Sequence, residues 1–357
     1  MNPLPTIAAA HPIDGLRAAS AIPESRAQQL AAEYYGLPAT ALRLNSERDD
    51  NFRLRTLDGR EYVLKIANPA EDRAVTNLQT EALLHLAVAD RRLPIPRIFA
   101  ALNGACELDI KFDDGSTRIV RLLSFLAGTP MHSVGASAAL RRDLGRCAAR
   151  LARGLRDFRH AGANHKLLWD LQHAAELRAL LDAVPADRRG LVQHFLDSFE
   201  AHALPALPHL PAQPVHNDLN PHNVVVDPGN ENITGIIDFG DLTFTARVND
   251  LAIAAAYQVA DSDDPLAPAC ELIAAYHAVS PLDPAEFDIV FDLMATRMAM
   301  TVVISSWRAH RYPENREYIL RNNQGAWARL SRIVKLSRAE ATQQIKRAGN
   351  SEQDRCP

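Results

Sequence analysis

The stretch from Val215 to Asp241, V-H-N-D-L-N-P-H-N-V-V-V-D-P-G-N-E-N-I-T-G-I-I-D-F-G-D, constrains this chain more than any other. Val224-Val225-Val226 is a β-branched run, Pro228-Gly229-Asn230 is turn punctuation, and Ile233 to Ile237 reads as the return strand. A hairpin sets the residue before its first strand beside the residue after its second. Here those residues are Asn223 and Asp238. A strand spacing of about 4.8 Å leaves their oxygens near enough to share one cation. Hard oxygen ligands of this kind suit Mg²⁺. Asp218 adds a carboxylate five positions before Asn223, in the same loop.

Phosphoryl transfer asks a protein for this set: metal ligands, and a carboxylate that orients the attacking hydroxyl. The spacing H-x-D-x-x-x-x-N is met by His216, Asp218 and Asn223, and D-F-G follows across the hairpin at Asp238-Phe239-Gly240. Either half alone is a weak signal. Both, in order and joined by a hairpin, point to one chemistry.

Composition sets outer limits. The chain has 357 residues, 47% hydrophobic and 23% charged, which is longer than a single core and implies two lobes. A net charge of −4 gives no electrostatic case for nucleic acid. The cysteines Cys106, Cys147, Cys270 and Cys356 are scattered, which fits reduced thiols and a cytoplasmic setting better than disulfides or zinc. The apolar stretch from Leu293 to Trp307 is interrupted by Arg297 and is too short to span a bilayer.

The expected order is an arm over residues 1–22, an N-terminal lobe over 23–126, a helical C-terminal lobe over 127–346 carrying the hairpin 215–241, and a frayed tail over 347–357. The N-terminal lobe opens with a helix from Glu24 to Tyr35, stopped by Gly36-Leu37-Pro38. A β-meander follows, turning at Asp58-Gly59 into Tyr62-Val63-Leu64-Lys65-Ile66, so its third strand carries a lysine. A helix from about Asp72 to Ala89 carries Glu81, and two further strands turn at Asp113-Asp114-Gly115. Helices are then expected near 138–158, 169–181, 188–204, 250–260, 268–278, 284–306 and 314–345. The fold class is α+β, an antiparallel sheet followed by a mainly helical body.

These residues resemble the aminoglycoside phosphotransferase and choline kinase family, which has a protein-kinase-like two-lobed fold. Within it the chain is most similar to hydroxylysine kinase and to the kinase-like domains fused to class III aminotransferases. The resemblance is carried by R-D-D-N-F-R-L, Y-V-L-K-I-A-N-P, V-R-L-L-S-F-L-A-G-T-P, H-N-D-L-N-P-H-N, G-I-I-D-F-G-D and Y-P-E-N-R-E-Y-I, most of the chain. It implies that Asp218 is the catalytic base and that Asn223 and Asp238 are Mg²⁺ ligands. It implies that Lys65 contacts the nucleotide phosphates, that Glu81 pairs with Lys65, and that Asp250 supports the catalytic loop. Ser46 to Asn51 would cover the phosphates, and Ser124 to Leu126 would form the hinge that binds the base. Two departures stand out. The covering turn lacks the glycines of protein kinases, and Asn217 replaces the glycine commonest between the histidine and the aspartate.

Other readings accompany these. His216 reads as a structural histidine, because Asp218 already fits the base. Asp241 either supports the site from behind or touches the acceptor. A metallohydrolase built on His216, Asp218, His222 and Asp238 has legal ligands but leaves Asn223 and Lys65 without a role. A catalytically silent nucleotide-binding regulator is a third reading. It is disfavoured because Lys65, Asp218, Asn223 and Asp238 are all present. For an amino-acid acceptor, Arg297, Tyr312, Trp169 and Asp170 are candidates, with Arg297 preferred because an arginine in an apolar helix needs a buried partner or a ligand. The expected reaction moves the γ-phosphoryl of ATP or GTP to a small-molecule hydroxyl. The favoured acceptor is 5-hydroxylysine, ahead of homoserine, choline or ethanolamine, and an aminoglycoside.

Overall fold

Burial alternates with period two in the first strands, and that alternation builds the first layer. The computed structural model describes residues 22–46 and 48–353, with side chains described through residue 350. Phe52 and Leu54 on β2 (Asp50–Thr56) face inward, as do Tyr62, Leu64 and Ile66 on β3 (Glu61–Ile66). With β1 (Ala39–Leu44), β4 (Ile98–Phe99), β5 (Leu108–Lys111) and β6 (Thr117–Ser124) they form an antiparallel sheet in the order β1-β2-β3-β6-β4, with β5 also on β6. The register sets Asn51, Lys65 and Arg121 abreast on three adjacent strands. Helix α1 (Glu24–Tyr35) closes one face, packing Ala27, Leu30 and Ala31 onto Phe52, Leu54, Leu64 and Val120. It ends where Gly36 takes the left-handed conformation, φ 63°, which a side chain rarely adopts.

Helix α2 (Arg73–Ala89) starts at Asp72, whose carboxylate caps the Ala74 amide. It crosses the other face of the sheet, yet Leu78, Ala82, Leu83 and Leu86 join the core of the helical body. His85 reaches the Gly154 carbonyl at 2.9 Å, and His160 meets Asn77 at 3.0 Å. The two lobes are therefore joined through α2.

The body holds α3 (Ala138–Leu155), α4 (Ala186–Ser198), α5 (Val248–Ala256), α6 (Ala267–Val279), α7 (Val290–Arg311), α8 (Asn323–Ile333) and α9 (Arg338–Gln353). Helix α7 is buried on all sides over nearly its whole length, which makes it the central rod. Strand β7 (Thr129–Pro130) precedes α3, and between α4 and α5 lie four short strands: β8 (Ala212–Val215), β9 (Val224–Val226), β10 (Ile233–Ile236) and β11 (Thr243–Ala246), of which β9 pairs with β7. β8 pairs with β11, and β9 pairs with β10 as the hairpin.

The α+β two-lobed architecture is the expected one. Three late features differ. The expected helix over 284–306 is two helices, a one-turn helix at Pro284–Phe287 whose start is capped by Asp283 and Glu286, and α7, with Ile289 at φ −120°, ψ −3° between them. The segment over 314–345 splits into a short turn, α8 and the start of α9, where Ser337 accepts the Glu340 amide at 3.2 Å. Residues 347–353 are helical rather than frayed, while the expected arm before Ile22 and residues 354–357 lie outside the described residues.

Candidate active site

The loop leaving β8 is fixed almost entirely through its backbone. Buried Asp250, near the start of α5, accepts the His216 amide at 2.9 Å and the Asn217 amide at 2.6 Å. Asn217 adopts a left-handed φ of 65°. That explains both the glycine preference at this position and why asparagine, which tolerates the conformation better than most, can replace it. His216 meets the Ile237 carbonyl through Nε2 at 3.0 Å, and its Nδ1 accepts the Asp218 amide at 3.3 Å. Both ring nitrogens are thus engaged by backbone, and the ring packs edge-on against Phe239.

Asp218 is set at the loop's tip. One carboxylate oxygen accepts Arg297 Nη2 at 2.6 Å; the other accepts the side-chain amides of Asn223 at 2.7 Å and Asn220 at 2.8 Å. Burial raises the Asp218 carboxyl above its ordinary range, and Arg297 pulls against that rise. Arg297, buried in α7, stacks over the Trp169 ring at 4.8 Å and donates to the Trp169 carbonyl at 3.3 Å. Burial works against the Arg297 cation, but the Tyr257 hydroxyl and the Asp218 and Asp241 carboxylates more than offset it, so its proton is held more tightly than usual.

The hairpin brings Asn223 and Asp238 together as its strand pattern implies. The Ile237 amide donates to the Asn223 carbonyl at 2.9 Å, placing Asp238 one residue past that bond. Asn223 directs its NH₂ at Asp218, and among the described residues no donor reaches its Oδ1. Asp238 is exposed, left-handed at φ 62°, and among the described residues bonded only to the Gly240 amide at 3.3 Å. Two hard oxygens at the same end of the hairpin, with no ion pair to Asp238 among the described residues, suit a divalent metal. Asp241 instead meets Arg48 Nη2 at 2.5 Å, across the cleft from the turn between β1 and β2. Burial opposes its ionisation, yet Arg48 and Arg297 draw the Asp241 carboxyl below its usual range.

On the sheet side Lys65 pairs with Asp49 at 3.4 Å, and this corrects the expected Lys65–Glu81 pair. The cause is helix phase. Thr76, Gln79, Thr80 and Leu83 turn inward on α2, which leaves Glu81 exposed. Gln79, on the inward face, accepts buried Arg121 Nη2 at 3.0 Å. Asn51 lies opposite Lys65 with a buried Oδ1 that has no hydrogen-bond partner among the described residues. Ser46 is half-buried in the covering turn. Ser124 closes β6 by accepting the Arg97 amide at 2.9 Å, and Leu126 packs against Gly235 under the hairpin.

Among the acceptor candidates, Trp169 and Arg297 adjoin Asp218, whereas Asp170 is a second correction. It is fully buried and caps the turn after it, bonding the Gln172 amide at 3.1 Å and Thr245 at 3.1 Å. Tyr312 is a third, lying at the far end of α7, fifteen residues and about 22 Å along the helix from Arg297. Sequence reasoning missed Asn220, Arg121 and Tyr257, and held Arg48 and Asp49 only as part of the covering turn. Of these only Arg121, a charge inside the apolar run V-R-L-L, carried a local signal.

Residues 40–288 match the family described as "Phosphotransferase enzyme family", and the chain belongs to it. It is a phosphotransferase with an alcohol group as acceptor, on a protein-kinase-like fold. Hydroxylysine kinase of Danio rerio is 30% identical over 330 residues, covering 88% of this chain and 92% of that protein. A solved microcompartment-associated aminopropanol kinase superposes with a TM-score of 0.68 at 17% identity, over 87% of this chain and 97% of its own. An amicoumacin kinase, in complex with AMP-PNP, Ca²⁺ and Ami, gives 0.63 at 15% identity over 95% of each chain. No helix among the described residues is long and apolar enough to cross a membrane.

Proposed function

We propose that the protein transfers the γ-phosphoryl group of ATP or GTP to the hydroxyl of a hydroxylated amino acid, with 5-hydroxylysine the favoured acceptor. The observation that carries this reading is the convergence of Asp218, Asn223 and Asp238 on one end of the hairpin. In it Asp218 takes the acceptor's proton, its ionised form held by Arg297, Asn220 and Asn223. The Asn223 Oδ1 and the Asp238 carboxylate hold Mg²⁺, which when bound screens the charge on the phosphates. Lys65 exchanges Asp49 for nucleotide phosphate, and the Ser46–Asn51 turn covers it. The segment from Ser124 to Leu126, joining the lobes, receives the base. Catalysis is then positioning and electrostatics. Similarity to hydroxylysine kinases over most of both chains favours the acceptor.

A metallohydrolase is disfavoured by geometry: both His216 nitrogens serve backbone groups, and His222 turns to Asn322 at 3.1 Å. The test is nucleotide consumption with ATP and GTP plus Mg²⁺, offered 5-hydroxylysine, homoserine, ethanolamine, choline and kanamycin. Turnover on 5-hydroxylysine above the others is expected. Preference for another acceptor would overturn the substrate, and failure to bind nucleotide would overturn the reaction.

A further inference from the structure

Two arginines flank Tyr257, and only one has a carboxylate. Arg297 meets Asp218, as described. Arg329, on α8, places its guanidinium 5.8 Å from the Tyr257 ring centre, its Nε buried without a hydrogen-bond partner. It forms no ion pair among the described residues, and Asp261 is taken by Arg332 at 2.7 Å. Gly325, one turn earlier, leaves room for the side chain: a Cβ there would sit 3.0 Å from Arg329 Nη1. Helix α8 faces the site, because Asn322 at its start meets His222 of the catalytic loop at 3.1 Å. Arg329 lies seven residues on, about two turns along the same face. Burial pushes Arg329 below its ordinary value, Tyr257 partly offsets this, and Arg332 adds like-charge repulsion. A shielded guanidinium with no anion is a costly arrangement that an arriving carboxylate relieves.

We propose that Arg329 binds the α-carboxylate of the acceptor, its planar fork receiving the acid end of a hydroxylated amino acid whose hydroxyl lies at Asp218. This rests on the hydroxy-amino-acid reading above and adds the determinant that selects an acid over a simple amino alcohol. Arg297, the carboxylate binder favoured by sequence, is committed to Asp218, which leaves the role to Arg329.

The experiment compares 5-hydroxylysine with its decarboxylated analogue, 1,5-diaminopentan-2-ol, in the full-length wild type, Arg329→Met and Arg329→Lys. The preference for 5-hydroxylysine in kcat/KM should fall at least about tenfold in Arg329→Met, chiefly through KM, and recover in part in Arg329→Lys. Removing an unpaired buried charge should also raise the melting temperature of Arg329→Met, and 5-hydroxylysine should stabilise the wild type more than that variant. An unchanged preference, or an equal loss on both acceptors, would overturn the assignment. A wild type that turns over neither compound would overturn the parent reading instead, and that outcome is visible before any variant is made.

Discussion

The loop from His216 to Asn223 and the turn from Asn45 to Asn51 face one cleft but are held in opposite ways. The loop is fixed by backbone hydrogen bonds to buried Asp250, by His216 on the Ile237 carbonyl, and by Asn223 locked onto Asp218. The turn is held chiefly by side-chain pairs, Arg48 with Asp241 and Asp49 with Lys65, and by Asn68 on the Arg48 carbonyl. A reacting carboxylate must be set in place before the substrate arrives. Ion pairs at a cleft mouth can exchange partners, because an arriving phosphate offers Arg48 and Lys65 the same kind of charge that Asp241 and Asp49 do. The rigid half suits the proposed chemistry and the exchangeable half suits entry and exit of a charged nucleotide.

Breaking the rigid half should cost most. Asp218→Asn removes the proposed base and is expected to lower kcat by about 10²–10⁴-fold, and it should also lower the melting temperature, because buried Arg297 loses its paired carboxylate. Asp250→Ala leaves two buried backbone amides without their charged acceptor. It should destabilise the fold by about 3 kcal/mol in urea titration and lower kcat with it. In the exchangeable half, Arg48→Met should raise the nucleotide KM several-fold, and because it leaves the largely buried Asp241 without its cation it should cost some stability, though less than Asp250→Ala. A stability loss as large as that of Asp250→Ala would erase the contrast. Smallest of all, Glu81→Ala should leave kcat/KM and stability within assay error, since its side chain is exposed and Lys65 pairs elsewhere.

The rigid half was the legible one. Its residues are close in sequence, and the strand–turn–strand pattern of Val224 to Ile237 fixes the meeting of Asn223 and Asp238 by geometry alone. The helix and strand order of the N-terminal lobe was legible too, through period-two alternation and the caps at Gly36 and Asp72. What sequence concealed was phase and partnership. Gln79 and Glu81 differ by two positions, and only docking of α2 on the sheet decides which faces Arg121. Asp170 looks like a site acid until its cap role on the following turn appears. Arg329 is one arginine among many in sequence; its meaning lies in a missing partner.

The most direct test of Asp218 as the base held by Arg297 is the pH profile of kcat/KM for wild type, Arg297→Lys and Arg297→Gln. If Asp218 is the base, its carboxylate form is the active one, and activity should appear as pH rises through its pKa. Burial already lifts that pKa, and Arg297 opposes the lift. Losing the cation in Arg297→Gln should therefore move the acid limb to higher pH, with Arg297→Lys lying between it and wild type. An acid limb that stays in place across all three proteins would contradict the assignment of Asp218 as the proton acceptor.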